Sequence, residues 1–261
     1  MFSLDSRGGH NRYKFNKDFF KTWSNEMAYV LGFLYADGNI TNAISSRTQY
    51  IHFYSTDRYI LENIKIVLSS NHILQTIPAR TQVHINGIYR SKEAFRLRIG
   101  SREMFEDLLK LGVVPNKSKI ITFPYVPKQC MGNFIRGYFD GDGCVFLQKA
   151  KGITKPIIIK KLSTIFTSGS YQFLRGIAEV LKNTLSINHD KVYDGIRSFQ
   201  LRYSTKDSIE IFKFMYNYCS SGLYLRRKTD RFNEYFQIAP RKIDVEVAKI
   251  LYDLSYGSVL K

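Results

Sequence analysis

Two aspartates, Asp37 and Asp142, stand 105 residues apart, and each precedes a glycine at the end of an apolar stretch, VLGFLYADG (30–38) and IRGYFDGDG (135–143). Each stretch reads as a helix with small residues at i and i+4: Gly32 with Ala36, and Gly137 with Gly141. Those positions share one helix face. A face without side-chain bulk lets two helices approach nearly backbone to backbone, and the simplest partner for each helix is its own repeat. A carboxylate in the last turn of a helix opposes the macrodipole, and two such carboxylates together make sense around a cation. Aspartate oxygens, helix-end carbonyls and water are the hard ligands Mg²⁺ prefers. Paired carboxylates that hold metal against a phosphate serve in-line phosphodiester hydrolysis. A single Asp-Gly pair is also the commonest tight-turn dipeptide, so the weight lies on the doubling at matched places. An EF-hand is excluded, because with Gly143 as the sixth loop position the first and twelfth would be Tyr138 and Lys149.

The elements that must position these residues also repeat. FRLRIGSREMFEDLLKLG (95–112) matches FQLRYSTKDSIEIFKFMY (199–216), and YSTDRYILENIKIVL (54–68) resembles FTSGSYQFLRGIAEVL (166–181). Blocks in the same order at a near-constant offset imply duplicated subdomains related by a pseudo-two-fold. Periodicity predicts a helix over 23–36, with Ser24 as N-cap and Gly38 as C-terminal cap. Strands or hairpins follow over 39–55 and 80–99, and amphipathic helices over 57–69 and 101–111. The second half repeats this as helix 131–142, strands 144–167, helix 170–185, strands 190–204 and helix 205–218. The expected division is a first subdomain at 1–112, a proline-bearing linker at 113–130, a second subdomain at 131–236 and a helical tail at 237–261.

Composition narrows the partners. The 261 residues include 39 Lys/Arg against 22 Asp/Glu, a net charge of +17, with 44% hydrophobic residues. That mixture excludes disorder, collagen and coiled coil as the main state. The charge is spread evenly, +8 over residues 1–132 and +9 over 133–261, so a basic surface on two similar halves is expected rather than a basic tail. Nucleic acid is the commonest partner of such a surface. No apolar run approaches the ~20 residues of a membrane span, and the N-terminus lacks a secretory h-region. Cys130, Cys144 and Cys219 are scattered and odd in number, which argues against a disulfide framework. A soluble protein in a reducing intracellular compartment is expected, whether bacterial or phage-host cytoplasm or an organelle matrix. The five histidines show no ligand or triad spacing, and no P-loop or nucleophile elbow is present.

The two nonapeptides, doubled at this spacing in a basic chain, resemble the signature of the LAGLIDADG homing endonucleases in their two-motif, single-chain form. The similarity spans about residues 20–235. It implies an α+β fold of two αββαββα subdomains, whose antiparallel sheets form a saddle over the DNA major groove. It also implies metal-dependent cleavage of both strands of a long asymmetric site by a monomer, using Mg²⁺, with Mn²⁺ as a substitute and Ca²⁺ supporting binding without cleavage. The last acid of each motif is the family's metal ligand, here Asp37 and Asp142, and the carbonyl before it, on Ala36 or Gly141, is often a further ligand. The family places a basic residue near each metal, for which the candidates are Lys117 and Lys228. Departures are Tyr35 at the sixth motif position, where the second copy keeps Asp140, and Leu31 and Arg136 at the second position.

Sequence readout is expected on the strands. In the first half the candidates are Asn39, Thr41, Ser46, Arg47 and Gln49, then Arg80, Gln82, His84, Arg96 and Arg98. In the second they are Gln148, Lys149, Lys151, Lys155, Lys160 and Lys161, then Arg197, Gln200 and Arg202. Arg on guanine and Gln or Asn on adenine are the usual bidentate pairs, and a one-residue register error inverts the face. The leading reading is a site-specific endonuclease acting on double-stranded DNA. The alternative is a non-catalytic binder with the same fold, an intron RNA maturase or a DNA-binding regulator, so intron RNA stays open as a partner. A ribosome-associated basic protein explains the charge but not the doubled Asp-Gly helix ends. Intein ends are not visible, which favours a free-standing or intron-encoded protein.

Overall fold

The first motif segment is apolar all round, and such a helix has to be enclosed. In the computed structural model, which describes residues 13–43, 48–84, 87–151, 158–219 and 222–256, it is α1 (Asn25–Asp37), with every residue from Met27 to Tyr35 buried. Ser24 starts it, its Oγ accepting the Met27 amide at 3.1 Å. The second motif forms α4 (Met131–Asp142). The expected glycine cap is not formed. Gly38 opens strand β1 without a positive φ, and Gly143 is extended at φ −95°, ψ 166°. Both helices pass directly into a strand.

One compact unit takes in the described residues of Met1–Thr22 and Asp37–Asn116. It holds β1 (Gly38–Ala43), β2 (Thr48–Ser55), α2 (Arg58–Val67), β3 (Gln75–Ile77), β4 (Thr81–His84), β5 (Gly87–Arg90), β6 (Ala94–Gly100) and α3 (Arg102–Lys110). The main sheet runs β1-β2-β6-β3 and is antiparallel. Ile40, Ile51, Phe53, Leu97 and Ile99 occupy one face of it, fully buried, on the side where α2 and α3 pack. Ser101 caps α3 through the Met104 amide. β4 and β5 form a separate two-stranded ribbon, with Val83, Ile88 and Tyr89 exposed.

The second unit takes in Trp23–Ala36 and Lys117–Lys261. After α4 come β7 (Gly143–Ala150), β8 (Ile158–Ser168), α5 (Tyr171–Leu185), β9 (Val192–Gly195), β10 (Ser198–Tyr203) and α6 (Thr205–Tyr216). Its sheet order, β7-β8-β10-β9, repeats that of the first sheet position by position. Helix α7 (Arg226–Ile238) was not anticipated. Its buried stripe is Lys228, Thr229, Phe232, Tyr235 and Phe236, and a lysine at the head of the stripe hides the apolar period. The tail helix α8 (Val245–Tyr256) is docked, with Tyr224 Oη donating to the Leu254 carbonyl at 3.0 Å and Lys213 paired with Asp244 and Glu246. No helix among the described residues is long and apolar enough to cross a membrane.

Candidate active site

α1 and α4 cross where the sequence removes bulk. A Cβ on Gly32 would collide with the Phe134 carbonyl and lie 2.9 Å from the Tyr138 amide nitrogen; one on Gly137 would collide with the Tyr29 carbonyl and lie 2.9 Å from the Phe33 nitrogen. Phe134 and Tyr138 are Tyr29 and Phe33 advanced by 105 residues, so the two contacts are the same contact seen from either side. The helices therefore run parallel about a local two-fold. Ala36 and Gly141 each lie one turn beyond the crossing glycine.

At those two helix ends the chain places buried lysines. Lys117, in a 3₁₀ turn at Lys117–Lys119, donates from Nζ to the Ala36 carbonyl at 2.9 Å. Lys228, in the first turn of α7, donates to the carbonyls of Phe139, Asp140 (2.6 Å) and Gly141 (3.5 Å). Both side chains are about nineteen-twentieths enclosed, at 5% and 3% exposure. A cation on helix-end carbonyls offsets the negative end of the dipole, which lets an acidic residue follow. Asp37 and Asp142 are those residues, and both are exposed. No group of three or more His, Cys, Asp and Glu suited to a metal occurs among the described residues. The donors that fit a hard cation here are one exposed carboxylate and one helix-end carbonyl at each motif. A carbonyl has two lone pairs, so a lysine contact does not exhaust it.

The second motif carries a polar core that the first lacks. Asp140 is fully buried, and its Oδ2 accepts from Tyr29 Oη (2.8 Å) and from the Leu225 amide (2.9 Å). Burial pushes this carboxyl above the usual carboxylate range, against the pull of Lys228, Tyr29, Arg136 and the Leu225 amide. Burial and the Asp140 charge push the Tyr29 hydroxyl up, so it stays a donor. Arg136, 1% exposed, donates to the carbonyls of Leu223 (3.0 Å) and Met215 (2.5 Å) and to Asn133 Oδ1 (2.7 Å). Its guanidinium also lies over the Tyr29 ring at 5.2 Å. The matching positions of α1, Leu31 and Tyr35, are buried and uncharged, and Tyr35 packs on Phe134 and Phe173. Sequence reasoning noted these departures but not the network; a lone arginine inside an apolar helix was the signal.

The strand candidates sort by register. On the first sheet, Asn39 and Thr41 pair with His52 and Tyr50, while Arg98 and Arg96 pair with His52 and Tyr54. All share the face away from α2 and α3. Tyr50, His52 and Tyr54 were not anticipated there. The His52 ring is held near pKa 4 by burial and then by Arg96 and Arg98. Arg98 lies over the Tyr50 ring at 4.8 Å, and Arg96 donates to Gln75. Gln49 pairs with Asn42 on the opposite face. Arg80 is exposed beside β4. Gln82 and His84 lie in β4, with side chains outside the described set, and Ser46, Arg47 and Lys155 lie outside the described residues.

On the second sheet Gln148, Lys161, Gln200 and Arg202 share the face opposite the buried Leu147, Leu162 and Leu201. A bulge after Gln148 makes Lys160 the extra residue and turns Lys149 toward Glu234 of α7, with which it pairs. Lys151 is exposed past the end of β7, and Arg197 is exposed in the β9–β10 turn at φ 65°.

This duplicated fold with an acid at the end of each crossed helix is that of the LAGLIDADG proteins. The LAGLIDADG-like domain profile matches residues 24–111 and again residues 129–214, and the chain belongs to that family, with the domain present twice. Among solved structures the chain is similar to the LAGLIDADG meganuclease I-AabMI bound to uncleaved DNA, at 12% identity over 87% of this chain and 97% of that one (TM-score 0.50). It is similar to the meganuclease I-CpaMI bound to uncleaved DNA at 12% identity, over 90% and 97% (TM-score 0.51). It is also similar to the homing endonuclease I-WcaI bound to its DNA recognition sequence at 15% identity, over 82% and 90% (TM-score 0.53). No curated protein matches the chain in sequence.

Proposed function

We propose that this protein is a site-specific endonuclease that binds double-stranded DNA as a monomer and hydrolyses one phosphodiester in each strand of a long asymmetric target. The observation that carries this reading is the doubling of one constellation: a glycine-crossed helix, a buried lysine on its last carbonyls and an exposed aspartate at its end. Asp37 and Asp142, with the carbonyls of Ala36 and Gly141, would hold Mg²⁺, which when bound lowers the pKa of water and neutralises charge on a phosphate. Lys117 and Lys228 place a fixed positive charge at each helix end, suited to polarising an attacking water or steadying a leaving oxygen. The faces carrying Arg96, Arg98, Gln200 and Arg202 offer donors for guanine and adenine edges. The DNA-bound meganucleases that share the fold support the choice of partner.

The test is a supercoiled plasmid carrying the DNA that flanks the reading frame, rejoined as uninterrupted sequence. Incubation with Mg²⁺ should linearise it at one site. Asp37→Asn and Asp142→Asn should abolish linearisation, while Ca²⁺-supported binding stays within about tenfold, or ~1.4 kcal/mol. Tight binding without cleavage in Mg²⁺ or Mn²⁺ would point instead to a non-catalytic binder, and full cleavage by both variants would reject the site.

A further inference from the structure

We propose that Asp140, seconded by Arg136, is a positioning residue that sets Lys228 on the end of α4, and that it serves this motif alone. The inference rests on the endonuclease reading for its kinetic consequence, but not for its structural content. The connection is a closed loop of hydrogen bonds. Asp140 Oδ2 takes the amide of Leu225 at 2.9 Å. Leu225 is the residue before α7, and its carbonyl accepts the amides of Lys228 (2.9 Å) and Thr229 (3.3 Å). Lys228 Nζ then returns to the carbonyls of Phe139, Asp140 and Gly141, and lies 4.9 Å from the centre of the Phe139 ring. Arg136, one turn earlier on α4, pins the approach to α7 through the carbonyls of Met215 and Leu223. The same helix that ends in Asp142 thus holds the first turn of α7 that supplies its lysine.

Lys117 is held by other means. Its own carbonyl accepts the amides of Ile120 and Ile121, both at 3.0 Å. Ser170 Oγ donates to the Ile121 carbonyl at 2.6 Å, and the Ser118 carbonyl sits where a Cβ of Gly169 would be. None of these groups belongs to α1. Loosening Asp140 should therefore release one lysine and leave the other in place.

Asp140→Asn keeps the shape and removes the charge that faces Lys228. Two readouts are needed. The first is competitive acetylation of lysines without metal or DNA, resolved by mass spectrometry. Lys228 should label at least about fivefold faster in the variant, with Lys117 unchanged. If Asp140→Asn does not fold, Tyr29→Phe, which removes one of the two Oδ2 donors, takes its place in this arm. The second is strand-resolved cleavage of the plasmid. Displaced supporting residues typically cost about 10–100-fold, so one strand should slow by that factor and nicked circle should accumulate. The slowed strand should be the one slowed by Lys228→Ala, and the double variant should be no slower than Lys228→Ala, the non-additivity expected of residues acting as one. Equal slowing of both strands, additive losses or unchanged protection of Lys228 would overturn the proposal. Absence of cleavage by the wild-type protein would reject the endonuclease reading instead, leaving the labelling arm to decide on Asp140.

Discussion

α1 and α4 make one contact in two ways. Their outer geometry is the same to a tenth of an ångström around Gly32 and Gly137, because a backbone-to-backbone approach leaves nothing to vary. Their inner flanks diverge completely. α1 fills its second and sixth motif positions with Leu31 and Tyr35, and α4 fills the same positions with a buried Arg136 and Asp140. The difference teaches where duplicated halves are free to drift: the flanking side chains change, Tyr35 packing on Phe134 and Phe173 while Asp140 and Arg136 engage Tyr29, and the glycines at the backbone contact do not.

The strongest way to break this comparison is at the glycines. Gly32→Leu and Gly137→Leu should each cost at least about 3 kcal/mol, because a packed crossing cannot absorb a side chain. Thermal melting should show similar losses, and a midpoint unchanged in either would disprove the close crossing. The flanks should respond unequally. Arg136→Met strands Asp140 beside fewer cations and should cost about 3 kcal/mol, whereas Leu31→Met should stay below about 1.5 kcal/mol. Equal losses would remove the asymmetry.

A third contrast lies in pH. His52 and His72 are held near pKa 4 from 6.5, mainly by burial, with Arg96 and Arg98 acting on His52 and Lys65 on His72. The folded state favours neutral rings, so the unfolded chain takes up more protons below pH 6.5. Stability is present above that value and is lost as pH falls toward 4. A melting series from pH 7 to 4.5 should decline, and less steeply in His52→Gln/His72→Gln; an identical decline would locate the acid sensitivity elsewhere. The smallest effect on the fold is expected from Arg98→Ala and Arg202→Ala, within about 0.5 kcal/mol in stability. Each should nevertheless lower the slope of log K against log salt by about 0.9 if it meets a phosphate, and a slope unchanged in both would take these faces out of backbone contact.

Much of this was legible in residue patterns, for physical reasons. Small residues at i and i+4 in an apolar helix have few uses, so the crossing could be anticipated from Gly32 and Gly137. Strands that alternate around Ile51 and Phe53 declare themselves. Arg136 inside an apolar helix signalled a buried polar contact, but its partners could not be read, because they are the carbonyls of Met215 and Leu223, and every residue has a carbonyl. α7 was hidden by the lysine at the head of its buried stripe. Faces on the second sheet required the bulge after Gln148, since one extra residue shifts every position beyond it.

The crossing also sets a timetable. α1 groups with the second unit rather than with the strands that directly follow it, and the residues it meets, Phe134 and Tyr138, lie 105 positions downstream of Tyr29 and Phe33. At the ~5–20 residues per second of synthesis, a nascent chain waits on the order of 5–20 s before α4 can be made. For that interval the face of α1 that carries Gly32 lacks its crossing partner, and the contacts of Tyr29 and Phe33 across that face wait until α4 is made.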